Sequence, residues 1–431
     1  MRLFAREAFL PDGWATDVRI DIAADGALGE VRAGVDREGA ELLEGPVVPG
    51  MPNLHSHAFQ RAMAGTAERR RGPDEDFWSW RDPMYALAAA LDPDALYAIA
   101  RETYGAMLFA GYTAVAEFHY LHRDPAGKWY ADRAATSHAL VSAARDAGIA
   151  VALLPALYAQ ADADGSPLRA QQRRFATSAA DVLAIAASLR SAYAHDADVA
   201  IGTAAHSLRA VTPAQLREIV DGTPRYAPIH LHAAEQTREV EAVRAALGAR
   251  PVAWLLANVG LDERWCLVHA THLDDGERTG LARSGAVAGL CPTTEANLGD
   301  GLFPLGAYLA ANGSFGIGSD SNVSISPVEE LRWLEYGQRL VTRRRLVAAI
   351  GPEASCAETL YARATEAGAR ACGRNAGRLA PGQRADLVVL PGDAHALRDT
   401  TLDRYIFATD RAAPRDVMVG GRWRVRGGSL L

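Results

Sequence analysis

The chain has 431 residues, of which 49% are hydrophobic and 23% charged, a composition typical of a globular protein with a large core. Its formal net charge of -7 excludes the global basic field that attracts nucleic acid or an anionic membrane surface. The first residues lack the apolar run of a signal peptide, and no uncharged apolar stretch is long enough to span a bilayer. We therefore expect a cytoplasmic protein with no nucleic-acid or membrane partner.

The first predicted elements are short strands. Residues before about Pro46 carry alternating apolar patches and turn signals, as in Asp17–Ile22 followed by Ala-Ala-Asp-Gly. Four widely separated cysteines, none of them in a CxxC pair, fit buried thiols of a reducing compartment better than disulfides or a thiolate metal site. They are Cys266, Cys291, Cys356 and Cys372.

Eight short apolar runs follow, with longer segments of helical periodicity between them. Parallel strands that are buried on both faces read as continuous apolar runs, and eight such units in a row favour a closed parallel barrel over an open sheet. The runs are Val47–His55, Thr113–Tyr120, Ile149–Leu157, Val199–His206, Ala227–His232, Trp265–His269, Ala286–Cys291 and Ser314–Asp320.

After about Gly377 the pattern returns to short strands around glycine turns, as in residues 385–390 and 416–425. We predict an α/β fold: a (β/α)8 TIM barrel with a small β-sandwich domain formed by the N- and C-terminal segments. The predicted boundaries are 48–377 for the barrel and 1–47 with 378–431 for the small β domain.

Polar side chains end most of the predicted barrel strands. The active site of such a barrel lies at the carboxyl ends of its strands, so residues at these positions are candidates for catalysis. The strand ends carry His55 and His57, His119 and Tyr120, His206, His230 and His232, His269, and Asp320.

Four of these residues suggest a metal site. His55 and His57 are two residues apart on a strand, so their side chains point the same way; His232 and Asp320 end the fifth and eighth strands. Three imidazoles and a carboxylate suit Zn²⁺, with Fe²⁺ as the competing ion, and an open position for water would make the site catalytic. Taken singly, each of these residues could instead be a satisfied core or capping residue. The one lysine, Lys128, is not at a strand end, which favours one metal ion over a lysine-bridged pair.

Two further residues are candidates for proton transfer. Glu235 follows His232 by three residues, where the chain turns toward a helix, and His269 ends the sixth strand. Glu235 could carry protons to and from a water molecule, and His269 could hydrogen-bond that water or a developing oxyanion. The alternative for Glu235 is a surface glutamate that is stabilised by the helix dipole.

This set of residues, in this order, resembles the amidohydrolase superfamily. Two stretches, Met51–Gly65 and Asp76–Tyr85, together with Ala205–Arg209, look like the formimidoylglutamate deiminases of histidine degradation. That resemblance implies hydrolysis of N-formimidoyl-L-glutamate to N-formyl-L-glutamate and ammonia with one Zn²⁺ per chain. It implies metal ligands His55, His57, His232 and Asp320, catalytic residues Glu235, His269 and Asp320, and substrate contacts Gln60, Arg81, Tyr120, His206 and Arg209.

The physical chemistry of the side chains agrees with a substrate that carries carboxylates, since guanidinium groups such as those of Arg81 and Arg209 bind carboxylates bidentately. The chain is rich in arginine, however, and most arginines are simply solvated. The aromatic stretch Phe77–Trp80 is either core packing or part of a loop that covers the site.

Two alternative functions remain at this stage. One is a superfamily deaminase that acts on a purine, pyrimidine or related ring amidine, whose pocket would need aromatic stacking in place of two arginines. The other is a non-catalytic metal-binding barrel, which the complete set of ligands and acid–base residues disfavours. We further expect a homodimer whose partner in catalysis is a small molecule.

Overall fold

A computed structural model describes residues 1–70, 75–351, 354–392, 400–409 and 413–431. Both chain ends contribute to one sheet of nine strands, and the middle of the chain forms a second sheet of nine. The N-terminal strands are β1 (Arg2–Leu10), β2 (Gly13–Ile22), β3 (Leu28–Arg32), β4 (Glu41–Leu42) and β5 (Val47–Pro49). The central strands are β6 (Met51–Ser56), β7 (Tyr112–His119), β8 (Ala150–Leu157), β9 (Val199–Ile201), β10 (Thr203–Ser207), β11 (Ile229–Ala233), β12 (Trp265–His269), β13 (Val287–Leu290) and β14 (Ser314–Ile317). The C-terminal strands are β15 (Leu387–Val389), β16 (Asp416–Val419), β17 (Arg422–Arg426) and β18 (Ser429–Leu430).

Helices follow most central strands. Several begin at a side chain that caps the first free amide groups, such as Asp92, Ser178, Thr212 and Asp274. The helices are α1 (Phe77–Ala90), α2 (Pro93–Ala110), α3 (Ala135–Ala147), α4 (Ala179–Ala192), α5 (Pro213–Gly222), α6 (Thr237–Leu247), α7 (Pro251–Asn258), α8 (Asp275–Ser284), α9 (Pro292–Leu298), α10 (Leu305–Ala310), α11 (Pro327–Thr342), α12 (Cys356–Ala371) and α13 (Thr401–Phe407). Short 3-10 helices cover Ala58–Met63 and Ala170–Gln172.

The central sheet is the predicted parallel barrel. Its order is β6, β7, β8, β10, β11, β12, β13 and β14, with β9 beside β8, and the pairings along it are parallel. The first and eighth strands meet through a parallel bridge between Ser56 and Asp320. The fold class predicted from the sequence is therefore confirmed.

Two predicted strands are divided by glycines. The run Val47–His55 leaves the terminal sheet at Pro49 and enters the barrel at Met51, and a Cβ on Gly50 would lie 2.4 Å from Thr113 Cγ2. The fourth run is interrupted at Gly202, where a Cβ would lie 2.4 Å from the carbonyl oxygen of Pro228. Periodicity cannot reveal such close approaches, because they depend on the neighbouring strand.

The terminal sheet has the order β18, β17, β16, β15, β5, β1, β2 and β3, with β4 beside β1. Its apolar side chains pack into a core separate from that of the barrel, with Leu3, Ile20 and Leu387 among its members. The domain boundaries given above stay a prediction, and residues 393–399 and 410–412 of the C-terminal range lie outside the described residues. Within the described part of the chain, no helix is both long and apolar enough to cross a membrane.

A buried arginine joins the bottom of the barrel to the terminal sheet. Arg374 contacts both carboxylate oxygens of Asp386, at 2.5 and 2.8 Å, and Asp198 Oδ1 at 3.0 Å. Only 6% of its side chain is exposed, and 1% of that of Asp386. We expect Arg374→Met to lower the free energy of unfolding by about 3 kcal/mol, because Asp386 would remain buried without its cation.

The measurement is a urea titration of both variants and the parent chain, followed by circular dichroism. Arg378→Met is the matched control, because Arg378 pairs with Glu366 where both side chains are about half exposed, and such pairs contribute roughly 0–1 kcal/mol. Equal midpoints for the two variants would contradict a structural role for the buried pair.

Candidate metal and catalytic site

Closure of the barrel brings the ends of β6 and β14 together. The amide of His57 donates to the carbonyl of Asp320 at 2.9 Å, and the amide of Asp320 donates to the carbonyl of His55 at 2.9 Å. Asp320 has a positive φ of 44°, which is rare for a residue with a side chain and costs conformational energy. The backbone is thus held so that the carboxylate faces the two histidines.

Three imidazole rings converge at this point. A ring nitrogen of each of His55, His57 and His232 lies within 4.8 Å of the others, and the Nε2 atoms of His55 and His232 are 3.1 Å apart. Asp320 Oδ1 lies 3.5 Å from His55 Nε2 and 3.6 Å from His57 Nε2. The four predicted ligands, which are up to 265 positions apart in sequence, are therefore brought together.

Backbone carbonyls orient two of these rings. His57 Nδ1 lies 2.8 Å from the carbonyl oxygen of Phe118, and His232 Nδ1 lies 2.8 Å from that of His206. A carbonyl only accepts, so each Nδ1 carries the proton and each Nε2 directs its lone pair toward the centre. Outer hydrogen bonds of this kind fix the tautomer of metal-binding histidines.

Burial keeps the three rings neutral. It lowers the pKa of His55 to about 3, and it also lowers the pKa values of His57 and His232. Neutral imidazole is the form that binds a metal ion. His55 Nδ1 is buried and has no hydrogen-bond partner in the described part of the chain, and the Nε2 atoms of His55 and His232 face each other 3.1 Å apart. The donor set therefore fits a divalent metal ion.

Beside this centre, Glu235 and His269 form a polar pair. His269 Nε2 lies 3.6 Å from Glu235 Oε1 and 3.7 Å from Asp320 Oδ2, while its Nδ1 contacts Glu295 Oε1 at 3.2 Å. Glu239, in the first turn of α6, accepts the amide of Glu235 at 2.9 Å and so fixes the turn after β11. His269 also has a positive φ, of 67°, as expected where function outweighs backbone preference.

The surroundings shift the pKa values of Glu235 and His269. Burial, with smaller contributions from Glu239 and Asp320, raises the pKa of Glu235 although His269 opposes the shift. Burial lowers the pKa of His269, but Glu235, Glu295 and Asp320 outweigh it, so that this pKa lies well above its usual value. A carboxyl with a raised pKa can take up and release a proton near neutral pH.

Asp300 lies next to this pair. Its carboxylate, the carboxylate of Glu235 and the His269 ring lie within 4.8 Å of one another. Gln236 donates to Asp300 Oδ1, whereas Oδ2 is buried and has no partner among the described residues. Burial and the neighbouring Glu235 raise the pKa of Asp300.

A cavity opens above the cluster. Every predicted substrate-binding residue lines it, and Gln60 Nε2 donates to the Tyr120 hydroxyl at 2.9 Å. Helix α1, the predicted aromatic stretch, contributes Phe77 and Trp80 to its wall. The other lining residues are His57, Arg81, Met84, Tyr85, Tyr120, Tyr158, Phe175, His206, Arg209, His232, Glu235, His269, Thr294, Leu298 and Asp320.

Two guanidinium groups in this cavity make no close ion pair with the described residues. Arg209 is 3% exposed and its Nε has no hydrogen-bond partner in the described chain. Arg81 is partly buried and contacts the hydroxyls of Tyr85 and Tyr158, the latter at 3.3 Å. Within the described ranges, no carboxylate lies within 4.0 Å of either guanidinium. Two guanidiniums without a close carboxylate partner among the described residues favour an anionic ligand.

Residues 47–424 match the sequence pattern described as the amidohydrolase family. The chain belongs to the amidohydrolase family. Residues 1–45 of this amidohydrolase match the N-terminal domain of formimidoylglutamate deiminase HutF. The chain is 51% identical to the formimidoylglutamate deiminase of Pseudomonas aeruginosa over 99% of this chain and 95% of that protein.

Solved structures share the fold of this amidohydrolase. A crystal structure of an amidohydrolase from Brucella melitensis has 45% identity and a TM-score of 0.94, covering 100% of this chain and 95% of the other. An adenosine deaminase from Xanthomonas campestris, solved with bound zinc, has 21% identity and a TM-score of 0.81, covering 100% and 94%. The predicted resemblance to formimidoylglutamate deiminases, and to a hydrolase of C–N bonds, is confirmed.

The sequence did not point to several residues of the site. Tyr158 directly follows the third strand and could have been found as another polar strand end. Glu295 and Asp300 carry no such signal, because they lie in and after α9 and reach the site through the turn that follows β13. The individual roles given to the predicted residues of this amidohydrolase stay predictions.

Proposed function

We propose that this amidohydrolase hydrolyses N-formimidoyl-L-glutamate to N-formyl-L-glutamate and ammonia, using one Zn²⁺ per chain. The observation that carries the proposal is that Arg81 and Arg209 lie in the same cavity as the histidine cluster and make no close ion pair with a described carboxylate. The substrate has two carboxylates and one amidine carbon. Its carboxylates can therefore bind to the arginines while the amidine carbon reaches the catalytic groups.

His55, His57, His232 and Asp320 would hold the zinc ion. When bound, zinc supplies a Lewis acid that lowers the pKa of a water molecule toward neutrality. The neutral imidazoles and single carboxylate match its preference for nitrogen and oxygen ligands. The zinc-containing relative from Xanthomonas has the same fold and supports this choice of ion over Fe²⁺.

Glu235 would accept a proton from the attacking water as oxygen adds to the formimidoyl carbon. His269, charged and 3.6 Å from Glu235, would donate a hydrogen bond to that oxygen and stabilise the negative charge that develops on it when its proton is lost. Amide ion cannot leave as such, and the imino nitrogen needs two protons to depart as ammonia. Glu235 would pass it the proton taken from water as oxygen adds, and then the proton of the resulting hydroxyl as the carbonyl forms and the C–N bond breaks. Throughout the reaction, Gln60, Tyr120 and His206 would surround the formimidoyl group and orient it.

The direct test compares ammonia release from N-formimidoyl-L-glutamate, guanine, cytosine and adenosine. We expect turnover of the first alone, and NMR should identify N-formyl-L-glutamate as its product. Formamide with glutamate would mean that the other C–N bond breaks. Turnover of a nucleobase or nucleoside instead would contradict the proposed substrate.

Arg209→Met should raise KM for formimidoylglutamate about a hundredfold, since each charge-assisted hydrogen bond to a carboxylate contributes roughly 1.5–3 kcal/mol. The measurement is steady-state kinetics with the zinc-loaded protein. Arg244→Met is the matched control, because Arg244 is exposed on α6 outside the cavity. An unchanged KM for Arg209→Met would remove this arginine from the binding site.

We also infer a cytoplasmic homodimer. The four cysteines are all buried free thiols, as suits a reducing compartment. Helix α11 and the segment after it expose the large apolar side chains of Leu340, Val341 and Leu346, which would be covered in a dimer.

A further inference from the structure

One tryptophan contacts three guanidinium groups. The Trp78 ring centroid lies 5.4 Å from the Cζ atom of Arg81, 5.2 Å from that of Arg209 and 4.5 Å from that of Arg238. Distances below about 6 Å are typical of cation–π contacts. The first two arginines line the cavity, whereas Arg238 lies outside its lining.

The three arginines come from separate parts of the fold. Arg81 is on α1, Arg209 follows β10 and Arg238 is in the first turn of α6. The start of α1 is fixed by Asp76, whose carboxylate accepts the amides of Trp78 and Ser79. Trp78 therefore connects a helix outside the barrel to two points on the barrel rim.

The indole also resolves an electrostatic conflict. Three positive charges around one ring repel one another, and in the described ranges no carboxylate lies within 4.0 Å of Arg81, Arg209 or Arg238. The negative face of an indole attracts each guanidinium without neutralising it. Trp78 can thus hold the two cavity arginines together and leave their charges available, which an aspartate or glutamate could not do.

Apolar packing alone does not account for this arrangement. Trp78 is only half-buried, and its one close aromatic neighbour among the described residues is Phe77, at 5.2 Å between ring centroids. The contact with three guanidiniums is what requires an extended aromatic face.

We propose that Trp78 is a positioning residue that sets the spacing of the Arg81 and Arg209 guanidiniums and so makes the site select ligands with two carboxylates. Arginine side chains have many rotamers, and stacking on a rigid ring restricts both at once. Arg238, which lies outside the cavity lining, gives the indole a third cation–π contact. The inference rests on the proposed function, in which these two arginines bind the substrate's carboxylates.

The test uses the zinc-loaded full chain and measures both binding and kinetics. Calorimetry with glutarate and butyrate compares two carboxylates with one and needs no turnover. Steady-state kinetics with N-formimidoyl-L-glutamate separate KM from kcat.

The variants are Trp78→Leu, which removes the aromatic face, and Trp78→Phe, which keeps a smaller one. Trp129→Leu is the matched control, because Trp129 also stacks with two guanidiniums, those of Arg123 and Arg133, but neither of these arginines lines the cavity.

In Trp78→Leu we expect the preference for glutarate over butyrate to fall about tenfold and KM to rise by a similar factor, with kcat within about threefold. Trp78→Phe should keep most of the preference for glutarate and a KM close to that of the parent chain. Trp129→Leu should match the parent chain in both quantities. Unchanged glutarate preference in Trp78→Leu, a fall in kcat alone, or equal loss in the Leu and Phe variants would overturn the proposal. Failure of the parent chain to release ammonia from formimidoylglutamate would instead refute the proposed function, and the glutarate comparison would still judge Trp78.

Discussion

Glu235→Gln is expected to lower kcat by about three orders of magnitude while the metal content of the protein stays the same. Glutamine preserves the size of the side chain and its place beside His269, but it can neither accept the proton of water nor return it to the leaving nitrogen. Glu235 does not belong to the three-histidine cluster, so the ligands should be undisturbed. Steady-state kinetics together with elemental analysis of the purified variant measure both quantities.

The pH profile gives a second readout of the same residue. Glu235 must be ionised to accept a proton, so kcat/KM should fall as the pH drops through its pKa. Burial raises that pKa, and the fall should therefore begin at a higher pH than for an exposed glutamate. The residual activity of Glu235→Gln should lack this acid limb.

Glu241→Gln is the matched control for Glu235→Gln. Glu241 is exposed on α6, close in sequence to the turn that carries Glu235. Its replacement should change neither kcat nor the pH profile. Near-normal ammonia release by Glu235→Gln would exclude this residue as the proton carrier, and loss of metal would show that its effect is structural.

The barrel and the convergence of the site could be predicted because both follow from local patterns. Buried parallel strands give continuous apolar runs, and their carboxyl ends meet at one face. Eight such runs therefore place His55, His232 and Asp320 near one another. The bridge between Ser56 and Asp320 then follows from closure of the barrel.

Other features could not be predicted, since they depend on neighbours that are distant in sequence. Gly50 divides the first run because of Thr113, and Asp300 reaches Glu235 through a turn whose path has no sequence signature. The stacking of Trp78 on Arg238 joins α1 to α6 in the same way. The chain has many aromatic residues and arginines, and the sequence does not show which of them stack on one another.

Removing the metal should abolish activity and also lower the thermal stability of the fold. His55, His57 and Asp320 lie at the joint between the first and last barrel strands, so an ion bound to them fastens the closure of the barrel. An ion whose free concentration is a thousand times its Kd for the native state stabilises that state by about 4 kcal/mol. This corresponds to a Tm shift of several degrees. We expect prolonged chelation to lower Tm by about 5 °C, and one equivalent of Zn²⁺ to restore both Tm and turnover.

His57→Gln is the control, because its Tm should respond little to chelator or zinc. Recovery that needs two equivalents would contradict a single ion, and full activity after verified removal of metal would contradict a metal-dependent reaction.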